Sequence, residues 1–133
     1  MKYTEIELQC EDLLWFAVDN NELIISFTTG GIGCVPEFII NSKENTLALQ
    51  KFFLEEFASD INGNDDSALS EKGIYCFDVD YNDNYGNSYK IISEPNKPIH
   101  LKDLPYDIQK VLKNNYIDVD VCDEKRIIIK HSL

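Results

Sequence analysis

Leu13 to Asp19 is apolar on both alternating sets, with Leu14, Phe16 and Val18 on one and Leu13, Trp15 and Ala17 on the other. A strand of that pattern is covered on both faces, which predicts a place in the middle of a sheet. Asn20 and Asn21 tolerate the left-handed conformations of a tight turn, and Leu23, Ile25 and Phe27 then alternate with more polar partners. A first hairpin is the expected result. From Ser42, a candidate cap, the rhythm changes: Leu49, Phe52, Phe53 and Phe57 recur at helical spacing, while Gln50, Lys51, Glu55 and Glu56 fall on the other side. This predicts a helix from about Lys43 to Ala58 laid on the sheet.

Asp60 to Ser70 is polar, contains Gly63 and reads as an exposed loop. Gly73 to Tyr81 alternates again, with Tyr75, Phe77, Val79 and Tyr81 opposite Cys76, Asp78 and Asp80, and the chain turns at 82–87 to return through Tyr89 to Ile92. Pro105 suits a first helical turn, and Leu104, Ile108, Val111 and Leu112 line one face of a short helix ending near Lys110 and Lys113. Ile117, Val119 and Val121 alternate with Asp118, Asp120 and Cys122 as a further strand, and Arg126 to Lys130 reads as the last. The expectation is one α+β domain over residues 1–133, a mainly antiparallel sheet with two helices in the order ββαββαββ.

Composition narrows what such a domain does. Apolar residues make up 44% and charged residues 27%, so a packed core is available. Twelve Lys and Arg against 24 Asp and Glu leave a net charge of −12, which repels nucleic-acid phosphates and anionic lipid heads. Direct nucleic-acid and membrane partners are therefore not expected. Apolar runs such as Leu13 to Val18 are too short to cross a bilayer, and Met1 to Glu5 lacks a signal peptide's apolar segment, so a cytoplasmic protein is expected. Cys10, Cys34, Cys76 and Cys122 are widely spaced without a C-x-x-C pair, and are expected as buried thiols.

Residue type and spacing carry several chemical readings. The Thr28 to Pro36 segment, with Gly30, Gly31 and Gly33, could line the pocket of a small-ligand-binding or enzymatic domain, the alternative being a turn that is structural or contacts a partner. It lacks the Lys-Ser or Lys-Thr pair of a phosphate loop, and Pro36 stands where a dinucleotide fingerprint needs its third glycine. Asp78 to Gly86 spaces oxygen ligands like a calcium loop, but Asp83 occupies the glycine position and Tyr89 the glutamate position. Cys34 with His100 or His131 would need a spacing or positive field that the chain does not supply. No catalytic residue, metal site or cofactor is expected.

The placement of the acids says more. Asp78 and Asp80 share one strand face, Asp118 and Asp120 another, and Asp65, Asp66, Asp83, Asp123 and Glu124 fall in loops or turns. Adjacent strands would gather these into a carboxylate field, with Tyr81, Tyr85, Tyr89 and Tyr116 nearby as candidate anchors. The expected partner-binding set is Asp78, Asp80, Asp83, Tyr85, Asp118, Asp120 and Asp123. Reversing the charge of Asp80 together with Asp120 is expected to weaken binding of a basic partner without lowering the melting temperature.

Two stretches carry a resemblance: Trp15-Phe16-Ala17-Val18-Asp19 followed by Ile25 through Phe38, and Pro98-Ile99-His100-Leu101-Lys102-Asp103-Leu104-Pro105. Together they resemble small bacterial immunity proteins found beside polymorphic toxins. The resemblance covers about half the chain and lies in turns and strand cores. It implies a cytoplasmic inhibitor that binds and blocks one cognate protein toxin, often a nuclease, with no cofactor, and it assigns no binding residue.

Overall fold

A computed structural model describes residues 1–61, 63–83 and 85–129. The first hairpin forms where the alternation places it: β1 (Leu14–Val18) pairs antiparallel with β2 (Ile24–Thr28), and nearly every residue of the two strands is buried. The left-handed residue of the turn is Glu22, at φ 62°, and not an asparagine. Asn20 and Asn21 instead donate from their side chains to Asp118 and Asp120.

Among the described residues the sheet has five strands in the order β1-β2-β3-β4-β5, and it is mainly antiparallel as expected, with one parallel pairing that makes it mixed. β3 (Tyr75–Val79) runs parallel to β2, whereas β4 (Ser88–Ser93) and β5 (Arg126–Ile128) add antiparallel. A parallel neighbour requires a long crossover, and the helices between β2 and β3 provide it.

Among the described residues five α-helices replace the two expected: α1 (Glu5–Cys10), α2 (Glu37–Ile40), α3 (Lys43–Lys51), α4 (Asp65–Glu71) and α5 (Tyr106–Leu112). The order is therefore αββαααββαβ. α1 starts in a reciprocal cap, with the Thr4 side chain accepting from the Glu7 amide and the Glu7 carboxylate accepting from the Thr4 amide. α4 corrects the loop expected over Asp60 to Ser70. Asn64 caps it by accepting from the Ser67 amide, and Ala68 and Leu69 supply its buried face.

The helix expected over Lys43–Ala58 is present, but its second half, Phe52–Phe57, is a π-helix. The Ala58 amide reaches back to the Phe53 carbonyl at 3.1 Å, a bond across five residues. The wider turn brings Phe52 and Phe57, five apart, to a ring separation of 5.9 Å, and Phe53 stacks on Phe16 at 4.4 Å. Ser42 stands at the N-cap position of α3 without making a side-chain cap.

The strand expected over Ile117–Val121 does not form. The chain makes a single parallel bridge, Val18 with Tyr116, and then tightens into a 3₁₀ turn at Val121–Asp123. Alternation there reports burial and not a ladder, because Ile117, Val119 and Val121 pack against the core while Asp118 and Asp120 reach the β1–β2 turn. β1 is correspondingly an edge strand, which corrects its expected mid-sheet place. Its two covered faces come from the layers above and below.

Those layers form two cores. On one face Trp15, Ile25, Phe27, Phe77, Tyr89 and Ile127 pack with Tyr3, Val35, Ile39 and Val121. On the other, Phe16, Ile24 and Cys76 pack with Leu49, Phe53, Leu69 and Leu112 of the helices. Cys34 and Cys76 are buried, but Cys10 and Cys122 are exposed, which corrects the expectation of four buried thiols. Cys10 ends a helix that buries none of its residues, and Cys122 lies in the 3₁₀ turn. Among the described residues no helix is long and apolar enough to cross a membrane. Lys130 lies outside the described residues.

Candidate functional site

β2 and β3 run parallel, so their C-terminal ends emerge together, and the glycine segment and the β3–β4 hairpin meet there. The two are locked by close approach. A Cβ on Gly30 would collide with the Tyr81 hydroxyl, one on Gly33 with the Tyr89 hydroxyl, and one on Gly86 with the Ile32 carbonyl. Gly30 and Gly86 also have φ of 57° and 69°, where a side chain is strained. The Cys34 amide donates to the Gly86 carbonyl at 2.8 Å, and the Tyr89 hydroxyl donates to the Cys34 carbonyl at 2.8 Å. The space beside Gly30 and Gly33 is thus occupied by tyrosine hydroxyls.

Around this junction lie the carboxylates of Asp12, Asp65, Asp66 and Asp78. Asp12 accepts from the Gly30 amide at 2.7 Å, and Asp78 accepts from the Thr28 hydroxyl at 2.8 Å. Asp66 is pushed above its ordinary range, first by partial burial and then by the charges of Asp78, Asp65 and Asp12. The Tyr81 hydroxyl is raised by desolvation and by Asp78 and Asp12. Ile32, Tyr81 and Tyr85 stand exposed at the same end, Tyr85 at 82%. The arrangement couples clustered negative charge to exposed aromatic surface.

The structure divides the seven residues singled out from the sequence. Asp78, Asp80, Asp83 and Tyr85 belong to this hairpin end. Asp118 and Asp120 are exposed beside the β1–β2 turn, and Asp123 lies in the 3₁₀ turn before β5. The five-residue length of β2, about 16 Å, separates the two groups. A single continuous field across adjacent strands is therefore not formed.

Their surroundings differ too. Asp80 is only 6% exposed, pairs with Arg126 Nη1 at 2.5 Å and accepts from the Asn82 amide at 3.0 Å. Arg126 is the main cause of its lowered pKa. Charge reversal there sets a cation against the half-exposed Arg126 and removes the acceptor of the Asn82 amide, so the expectation of an unchanged melting temperature does not suit Asp80, although it suits exposed Asp120. Asp83 is half-buried and accepts from the Tyr85 amide at 3.0 Å, the first cause of its lowered pKa.

At the opposite end, Asp19 is the residue that sequence reasoning passed over. It is 2% exposed and accepts from the amides of Asn21 (2.8 Å), Leu23 (2.9 Å) and Val121 (2.9 Å). The signal was an acid ending an otherwise apolar strand just before a turn. Asp12 was also missed, and its position immediately before an apolar run was the available clue.

The other candidates are dispersed. His100 bridges to Leu23 at the start of β2, while Cys34 follows the far end of that strand, so the two lie at opposite ends of the sheet. His131 and Asn84 lie outside the described residues. Among the described residues, no three His, Cys, Asp or Glu side chains gather in a way that could hold a metal ion. An open groove of about 460 Å³ runs along α3 and the π-helix between Leu47, Gln50, Lys51, Leu54 and Glu55. No family model, curated protein or solved structure matches this chain.

Proposed function

We propose that this protein is an immunity-type inhibitor that binds and neutralises a cognate bacterial toxin, a basic nuclease, through an acidic surface. The observation that carries the reading is the cluster of Asp12, Asp65, Asp66 and Asp78 beside exposed Tyr81 and Tyr85. Mutually repelling carboxylates stabilise a complex when cations of a partner relieve the repulsion, and exposed tyrosines supply apolar contact with little side-chain entropy to lose. A nuclease groove is positive because it holds phosphates, so a domain of charge −12 covering it inhibits by occupation and by charge. In this reading Asp78, Asp83 and Tyr85 touch the partner, joined by Asp66 and Tyr81. Asp80 supports the hairpin from behind.

The test is native purification of the tagged protein at low and high salt, followed by assay of the recovered protein's nuclease activity with and without the inhibitor. One stoichiometric basic partner, inhibited on rebinding and released as salt rises, is expected. Asp65→Asn with Asp66→Asn should accelerate its dissociation at least tenfold. A partner held equally well by that variant and at high salt would remove the acidic end from the mechanism.

A further inference from the structure

The two edges of the sheet are finished differently. On β1 the outward backbone groups are Leu14, Phe16 and Val18, and side chains and a neighbouring segment answer them. Gln50 Nε2 donates to the Leu14 carbonyl at 2.7 Å and Asn115 Nδ2 to the Phe16 carbonyl at 2.9 Å. The Val18 amide donates to the Asn115 carbonyl, and the Val18 carbonyl accepts from Ile117. Among the described residues, β5 has no such cover. Its bonds to β4 run through Lys125, Ile127 and Ile129, because the Ile91 amide reaches the Lys125 carbonyl and the Ile129 amide reaches the Asn87 carbonyl. Arg126 and Ile128 consequently point their N–H and C=O groups away from the sheet, and among the described residues nothing pairs with them.

We propose that the outer edge of β5 is a docking site for an extended segment of a basic protein, which adds to the sheet as a sixth strand. The free groups of Arg126 and Ile128 repeat at the two-residue spacing of a ladder, and Ile128, 54% exposed, offers apolar contact on one face. Charge selects the occupant. Among the described residues, Lys125 just before the strand is paired with Glu94 at 3.1 Å and Arg126 with Asp80 at 2.5 Å. Asp123 and Glu124 lie exposed just before this strand, and the molecule as a whole carries a charge of −12. A second copy carries the same net charge and is repelled, whereas a Lys-rich strand is attracted. The basic character of the partner rests on the proposed function; the open edge does not.

The test titrates the full-length, ¹⁵N-labelled protein with three synthetic octapeptides: one alternating Lys with Val and Thr, its Glu-for-Lys counterpart, and the Lys peptide with a central proline. The Lys peptide should give saturable shifts of the Arg126 and Ile128 amides and slow their hydrogen exchange. The Glu and proline peptides should bind at least tenfold more weakly. Ile128→Pro removes an outward N–H without touching the β4 ladder, and should abolish the effect at Arg126. Unchanged Arg126 and Ile128 amides, equal binding of the proline peptide, or protection of this edge by concentration-dependent dimers would each overturn the proposal. A protein that inhibits its toxin yet ignores the Lys peptide loses only this inference; one that binds the peptide but inhibits no nuclease loses only the proposed function.

Discussion

Asp19 and Asp66 sit at opposite ends of the same sheet and face opposite problems. Asp19 is buried among three amides that donate to it, so its charge is satisfied by the fold. Asp66 is half-buried among other carboxylates, so its charge is opposed by the fold. The contrast shows why 24 acids in the sequence do not by themselves mark a surface for binding. One end uses its acids to hold the chain, and the other keeps like charges together at a cost that a cationic partner can relieve.

Replacing Asp19 with Ala should break the comparison most severely. It leaves the Leu23 and Val121 amides buried and unanswered, which costs about 3–5 kcal/mol and should release the 3₁₀ turn from the β1–β2 turn. Chemical denaturation measures the first effect and amide exchange at Val121 the second. A loss under about 1 kcal/mol would show that water replaces the carboxylate without penalty.

Acid should act next, and on the hairpin. Arg126 holds Asp80 below its ordinary 3.8, a depressed folded-state pKa. The stability from this pair is therefore fully present above pH 3.8 and is lost as pH falls through the lowered value. Arg126→Ala should remove that part of the acid dependence, read as a smaller change in melting temperature between neutral pH and pH 3. An unchanged profile would place the acid sensitivity elsewhere.

Asp66→Asn should have the smallest effect and the opposite sign. Removing a charge that its neighbours repel should stabilise the protein at neutral pH, by less than about 1 kcal/mol because the site is partly solvated. Added salt should shrink the gain. Destabilisation on the scale of Asp19→Ala would mean that Asp66 is structural as well.

Much of the fold was legible because it is local. The β1–β2 hairpin, the helix from Lys43, the β3–β4 hairpin and the short helix after Pro105 all follow from periodicity and turn residues that act within a few positions. What misled was periodicity standing for two things at once. Ile117, Val119 and Val121 alternate because alternate side chains reach the core, yet their amides go to turns and to Asp19 instead of to a strand. Polar 65–71 looked like a loop because only Ala68 and Leu69 are buried, although Asn64 at its start is a sound cap. Of the candidate site, Asp78, Asp83 and Tyr85 lie at one end, and the pairing of Asp80 with Arg126 could not be seen in the sequence because the two are 46 residues apart.

The sequence by itself determined the α+β class, the two hairpins, the net charge and the chemical stock of carboxylates and tyrosines, since these depend on side-chain type and on spacing along the chain. Tertiary structure decided the parallel pairing of β2 with β3, which acids are paired and which crowded, and which sheet edge is closed. Each of those turns on residues brought together from tens of positions apart: Arg126 on Asp80, Asn115 on Phe16, Val121 on Asp19. A carboxylate's role is set by the groups within hydrogen-bond reach, and for these residues that neighbourhood exists only once the chain is folded.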